Sequence, residues 1–336
     1  MRLARGTKTV LVCLALLVLV APFLPGWLLF LLTVAFAKGL VVLGVVLLLR
    51  ADLVSFGHGL FYAGGAYALG IAIKDGFPVH EALVLVVLGV VFTTLLASIV
   101  GLFLARYRGI FFGMLSVAFT MILYSLLLKL RWLSGGTDGI PVRATTYVGL
   151  ETSADTVRLI QYYFVLVLAA GAVYLAYRVA ASPLGYLMRA IYDNEVRVEF
   201  MGASVRGAIY RTYVLAGALG GLGGALTALT VGHIAPDNAY WSISGEFVFV
   251  ALLGGIGSVF APIIGSVVFE FVRSFAQAKS PNTWQMLLGG VLLVIILFAP
   301  GGLWSIFERL TAGRKGATPA APRELLEAQP APVEQP

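Results

Sequence analysis

Apolar runs of bilayer length follow one another along this chain, with only short polar loops between them. A helix needs about 20 apolar residues to cross the hydrocarbon core, where every backbone N–H and C=O must be satisfied internally. The first run, Thr9–Val20, follows Arg2, Arg5 and Lys8 in the manner of a secretory leader. Pro22, Pro25 and Gly26 read as a turn and no small-residue cleavage site follows, so the run is expected to stay as an uncleaved first span. A second run lasts from Trp27 to Leu49, interrupted by Lys38. Others fall at about 58–73, 81–104, 110–128, 159–177, 208–231, 246–256, 260–278 and 284–299, giving about ten. The stretch 246–278 reads as one long span or a broken pair, and Gly254-Gly-Ile-Gly-Ser258 argues for the break.

Composition excludes the ordinary soluble classes. The chain is 60% hydrophobic and 12% charged, against about 45–50% and about 25% in soluble domains. Its net charge of +7 sits in short loops, where it orients spans and does not point to nucleic acid. Arg50, Arg106, Arg108, Arg178, Arg189, Arg197, Arg206 and Arg211 fall on the side that also holds both termini. A smaller set, Lys74, Lys129, Arg131, Arg143, Arg158 and Lys279, falls opposite. Both termini are therefore expected in the cytoplasm. Residues 1–310 read as one membrane domain, and 311–336, with five of the 14 prolines, as a disordered cytoplasmic tail. The lone Cys13 gives neither a disulfide framework nor a thiol metal site.

No GxxxxGK[ST], HExxH or GxSxG occurs, and His58, His80 and His233 lie far apart, so no catalytic or metal residue is assigned. Three stretches carry information instead. Ser55-Phe-Gly-His-Gly-Leu-Phe-Tyr-Ala-Gly-Gly-Ala-Tyr67 places Gly57, Gly59, Gly64 and Gly65 in or beside a span. Such glycines permit close helix packing or an unwound segment lining a path, and the two are compatible. Ser134-Gly-Gly-Thr-Asp-Gly139 is a polar turn with free backbone N–H groups, which as function would shape the outer mouth, with Asp138 a candidate for a substrate ammonium. In the loop 182–206, Ser182-Pro183 starts a helix whose Leu184, Leu187, Met188 and Ile191 form an apolar stripe, and Gly202 stops it. Its polar side carries both charge signs, which favours a protein partner over a lipid surface.

In this order, the three stretches resemble the membrane subunits of ABC importers for branched-chain amino acids, the LivM-type permeases. Gly57, His58, Gly59, Phe61, Gly65, Ala66 and Tyr67 match the family's glycine-histidine segment, and Gly135, Gly136, Asp138 and Gly139 its outer loop. Arg189-Ala-Ile-Tyr-Asp-Asn-Glu195 with Gly202 matches its cytoplasmic motif. Tyr210-Arg211, Gly217–Gly224, Gly254–Ser258 with Pro262 and Gly265, and Pro300–Leu303 complete the pattern. The chain departs from it at Val196-Arg197-Val198, where small alanines are usual, and at Tyr186 and Tyr192, where arginines are.

The resemblance implies an all-α polytopic permease fold with two inverted halves, about 27–130 and 208–299. It implies a heterodimer with a sister permease, two cytoplasmic ATPase subunits and an external substrate-binding protein, in an inner membrane. ATP would be used by the partner subunits, and this chain would bind no cofactor. The substrate path would involve Ser55, Gly57, His58, Gly65, Tyr67, Thr137 and Asp138. Coupling to the ATPase would involve Arg189, Asp193, Asn194, Glu195 and Gly202. The solute would be leucine, isoleucine or valine, with urea, amides or another small solute as the alternative. An ion-coupled carrier is the rival from another class, with Lys38, Glu246, Glu270 and Arg273 as its candidates. An intramembrane enzyme would have to use His58 and Asp52.

Overall fold

Pro25 holds the backbone extended and Gly26 starts the first long helix of the computed structural model, α1 (Gly26–Leu49). The structure describes residues 17–75, 81–142, 154–279, 283–298 and 301–305. Residues 17–20, the end of the expected first span, are helical; the rest of that run and the tail 311–336 lie outside the described residues. Apart from Thr33 and Lys38, helix α1 is apolar all round, as a helix enclosed over most of its length should be. Its most apolar window is 94% buried, whereas that of α4 (Gly109–Lys129) is 28% buried. Helix α1 is therefore the axis of the bundle and α4 is peripheral.

The remaining helices are α2 (His58–Lys74), α3 (Ala82–Leu104), α5 (Ala154–Ala180), α6 (Pro183–Phe200) and α7 (Val205–Val231). They are followed by α8 (Trp241–Gly254), α9 (Ala261–Lys279) and α10 (Trp284–Phe298). The α8–α9 break falls at the glycine stretch expected to make it, with Gly255 at φ 102°. Helix α1 packs along α5, α7, α8 and α9, while α2 and α3 pack on α7. Among the described residues the one sheet is an antiparallel contact of two-residue strands, β1 (Ile140–Pro141) with β2 (His233–Ile234).

Among the described residues, five helices, α1, α3, α4, α5 and α7, are long and apolar enough to cross a membrane, against about ten spans expected along the whole chain. Helices α2 and α8 are shorter, at 17 and 14 residues, because neither starts at an end of the bundle. The chain before α2 runs beside the middle of α4, where the Phe56 N–H donates to Ser116 Oγ at 3.1 Å. Helix α8 begins at the same height: Ser244 Oγ in its first turn accepts the Gly59 N–H of α2 at 2.8 Å. From there α8 runs along the second half of α1, with Phe247, Val250 and Leu253 against Val41, Val45 and Val46. Helix α2 runs the opposite way, bringing Leu69 to Leu29 and Leu32.

Candidate functional site

Within the glycine-histidine stretch, the backbone is irregular only before His58, and Gly64, Gly65 and Gly70 lie inside a continuous α2. A Cβ at Gly65 would run into the Gly221 carbonyl of α7, one at Gly224 into the Tyr62 carbonyl, and one at Gly89 would stand 2.9 Å from the Gly65 carbonyl. The glycines thus bring α2, α3 and α7 together backbone to backbone, the small-residue packing available to helices in lipid. Close packing is the use this structure makes of them. His58 is fully buried; its Nδ1 lies 3.2 Å from Ser55 Oγ and its ring packs edge-on to Phe61. Its Nε2 and the Tyr67 hydroxyl have no hydrogen-bond partner among the described residues. Asp52 is exposed and His58 is not, so the two form no shared site.

At the end of the bundle where α2 finishes, Lys74 Nζ donates to the carbonyls of Trp132 and Leu133 (the latter at 3.2 Å), tying the polar turn to α2. Ser134 Oγ donates to the Leu127 carbonyl and accepts the Gly136 N–H at 3.1 Å. Gly135 and Gly139 hold φ of 77° and 72°, which side chains rarely adopt. Thr137 and Asp138 are left exposed at the tip, away from buried Ser55, Gly57, His58, Gly65 and Tyr67. The path residues expected from the sequence therefore form two groups rather than one.

The opposite end carries α6. Its apolar stripe faces the bundle: Met188 and Ile191 are buried with Val205, Ile209 and Tyr213 of α7 and Phe112 of α4. The side left free for a partner is therefore the polar one. The free face also holds Tyr186, Tyr192, Val196 and Phe200, the last 89% exposed. Ser182 occupies the expected cap position, but its hydroxyl donates to the Val179 carbonyl at 2.6 Å rather than capping an N–H. Helix α6 is also not one rod. Asn194 is extended at φ −165° and ψ 103°, and its Oδ1 caps the Arg197 N–H at 2.9 Å, restarting the helix. Gly202, at φ 81°, stops it as expected.

Of the residues expected to couple to an ATPase, Arg189, Asp193 and Asn194 are exposed, but Glu195 turns inward. Its carboxylate takes the Arg108 Nε–H at 2.8 Å. Arg108 Nη1 meanwhile donates to the Ala105 and Tyr107 carbonyls, each at 2.9 Å, clasping the α3–α4 turn. No sequence spacing singled out Arg108. Burial, and then nearby Arg189, lowers the Arg50 guanidinium from its ordinary pKa at this end.

The candidates for ion coupling do come together. Lys38 Nζ lies 2.6 Å from Glu270 Oε1 and 3.6 Å from Glu246 Oε1. Arg273 Nη1 lies 2.6 Å from Glu246 Oε1 and 3.9 Å from Glu270 Oε1. The Arg273 guanidinium sits 5.3 Å from the centre of the Trp284 ring, which supports its charge.

A bundle of long apolar helices that buries ionised groups at mid-height and starts two helices in its interior is a polytopic helical membrane protein. Residues 27–297 match the family described as the permease component of branched-chain amino acid transport systems, and the chain belongs to that family. The high-affinity branched-chain amino acid permease LivM of Escherichia coli K12 is 27% identical over 283 residues, covering 75% of this chain and 64% of that protein. The chain thus spans less than two thirds of that relative's length. The guanosine ABC transporter permease NupP of Bacillus subtilis is 28% identical over 173 residues, covering 50% of this chain and 48% of that one. A probable LivM of Methanocaldococcus jannaschii is 27% identical over 159 residues, covering 42% and 46%. No solved structure matches.

Proposed function

We propose that this chain is the membrane-spanning permease subunit of an ATP-driven importer, passing leucine, isoleucine or valine received from an external binding protein. The observation that carries this reading is the family match over residues 27–297. In this reading the chain pairs with a sister permease in the cytoplasmic membrane, and the α6 end, with both termini, faces the cytoplasm. Of two ATPase subunits, one docks on the free face of α6 around Arg189, Asp193 and Tyr192, and ATP is bound by the ATPases alone. The mixed charge and exposed aromatics of that face support a protein partner over lipid. The turn bearing Thr137 and Asp138 faces the binding protein, and Ser55, Gly57, His58, Gly65 and Tyr67 hold the wall behind the path.

The α1–α2 and α7–α8 pairs each consist of a long helix, an irregular segment and a helix that starts in the interior. That shared order supports two inverted halves. NupP, named for guanosine, supports a second reading in which the solute is a nucleoside.

Reconstitution tests both. Proteoliposomes holding this chain, its sister, the ATPases and the loaded binding protein are expected to accumulate labelled leucine only with ATP inside. Guanosine uptake without leucine uptake would favour the second reading. ATP hydrolysis by this chain freed of its ATPases would defeat the assignment.

A further inference from the structure

The quartet Lys38, Glu246, Glu270 and Arg273 plays no part in the coupling contacts or the glycine seam. Lys38 lies midway along α1, Glu246 in the first half of α8, and Glu270 and Arg273 near the middle of α9. Ionised groups at such depth are costly and mark solute or ion pathways in membrane bundles. A clamp that only fastened α1 to α9 would be served as well by apolar side chains.

We infer that the quartet is where a zwitterionic, aliphatic α-amino acid is held as it crosses, an inference that rests on the import function proposed above. Charges alternate around the ring, with two short edges of 2.6 Å and two long ones of 3.6 and 3.9 Å. The long edges are where the ring parts most easily. A zwitterion inserted between Lys38 and Glu246 would set its carboxylate on the ammonium and its own ammonium on the carboxylate. Six charges would then alternate around a larger ring, each beside an opposite one. A lone cation or anion entering the neutral quartet would leave a charge uncompensated, so the geometry favours a zwitterion over a coupling ion.

Two further observations point the same way. Ser266 Oγ, on a residue 2% exposed, has no hydrogen-bond partner among the described residues. It borders the same narrow gap as Lys38, Glu246 and Glu270, and has a donor free for a carboxylate oxygen. The rest of that gap is lined by Val42, Phe247, Val250 and Phe269, an apolar wall suited to a branched side chain. The gap has no room for a water molecule, so a solute enters only when the long edge widens.

The test uses the complete transporter in proteoliposomes. Lys38→Met with Glu270→Gln removes one charge of each sign and leaves the Glu246–Arg273 pair neutral. Leucine uptake is expected to fall at least tenfold, while the double variant still assembles and its ATPases still respond to loaded binding protein. Wild-type uptake in that variant would overturn the inference. A diazirine analogue of leucine, photolysed during turnover in the unaltered protein, is expected to label α1, α8 and α9 around Val42, Phe247 and Phe269. Labelling confined to other helices would equally overturn it. Absence of ATP-dependent leucine uptake in the unaltered transporter would instead defeat the proposed function.

Discussion

Where α2 crosses α7, Gly65 lies directly on the Gly221 carbonyl with no side chain between. Where α9 meets α1, Lys38 reaches Glu270 across 2.6 Å. Both contacts fasten buried helices, by different physics. Backbone-to-backbone packing tolerates one geometry, since any added atom collides and dispersion falls away within an ångström of separation. Ion pairs inside a bundle can exchange partners without losing their charge balance, provided each charge keeps an opposite neighbour. The seam of α2, α3 and α7 is thus the half that keeps its shape, and the α1, α8, α9 corner the half able to rearrange.

The severest way to break this contrast is Gly65→Leu. Its side chain has to displace the α7 backbone, and overpacking of that kind costs roughly 3 kcal/mol or more. No monodisperse protein is expected on size exclusion in detergent, and a well-behaved, transporting variant would show the seam to be incidental. Lys38→Met comes next. It leaves Glu270 with Arg273, 3.9 Å away; breaking a fully buried pair costs about 3–5 kcal/mol, and this part-buried one costs less. Thermal unfolding should show the loss, and adding Glu270→Gln should recover most of it.

Ser244→Ala probes the junction between the two halves. It deprives the buried Gly59 N–H of its acceptor, for roughly 1–3 kcal/mol, and an unchanged melting temperature would show that another group takes over the bond. The smallest stability effect is expected from Glu195→Gln, which leaves Arg108 its bonds to the Ala105 and Tyr107 carbonyls. The pair it weakens is 29% and 32% exposed, and solvent screening holds its worth below about 1 kcal/mol. Uptake should nevertheless fall, and Glu195→Asp should keep most of it. Undiminished uptake in Glu195→Gln would leave the contact without a coupling role.

Helix positions were legible because each apolar run ends at a charge, a proline or a glycine, as at Arg50, Arg106 and Gly232. The α8–α9 break was legible for the same reason. The interior starts of α2 and α8 were not, since the polar stretches 50–57 and 233–240 read as surface loops, whereas here they run into the bundle. Nor was the bend at Asn194, because Val198 continues the buried face of Met188 and Ile191 across it. The partners of Lys38 lie more than 200 residues away, and no local periodicity encodes a contact set by tertiary packing. Among the site residues, the family resemblance grouped Ser55 with Asp138, whereas burial divides them.

The Gly59–Ser244 bond is a pivot between the half that keeps its shape and the half able to rearrange, since α2 and α8 leave it in opposite directions. A helix anchored at its start swings at its far end and hardly moves at the anchor. Paired spin labels on the complete transporter should then report a displacement at the Gly254 end of α8 on ATP binding, and a nearly constant distance across the start of the two helices.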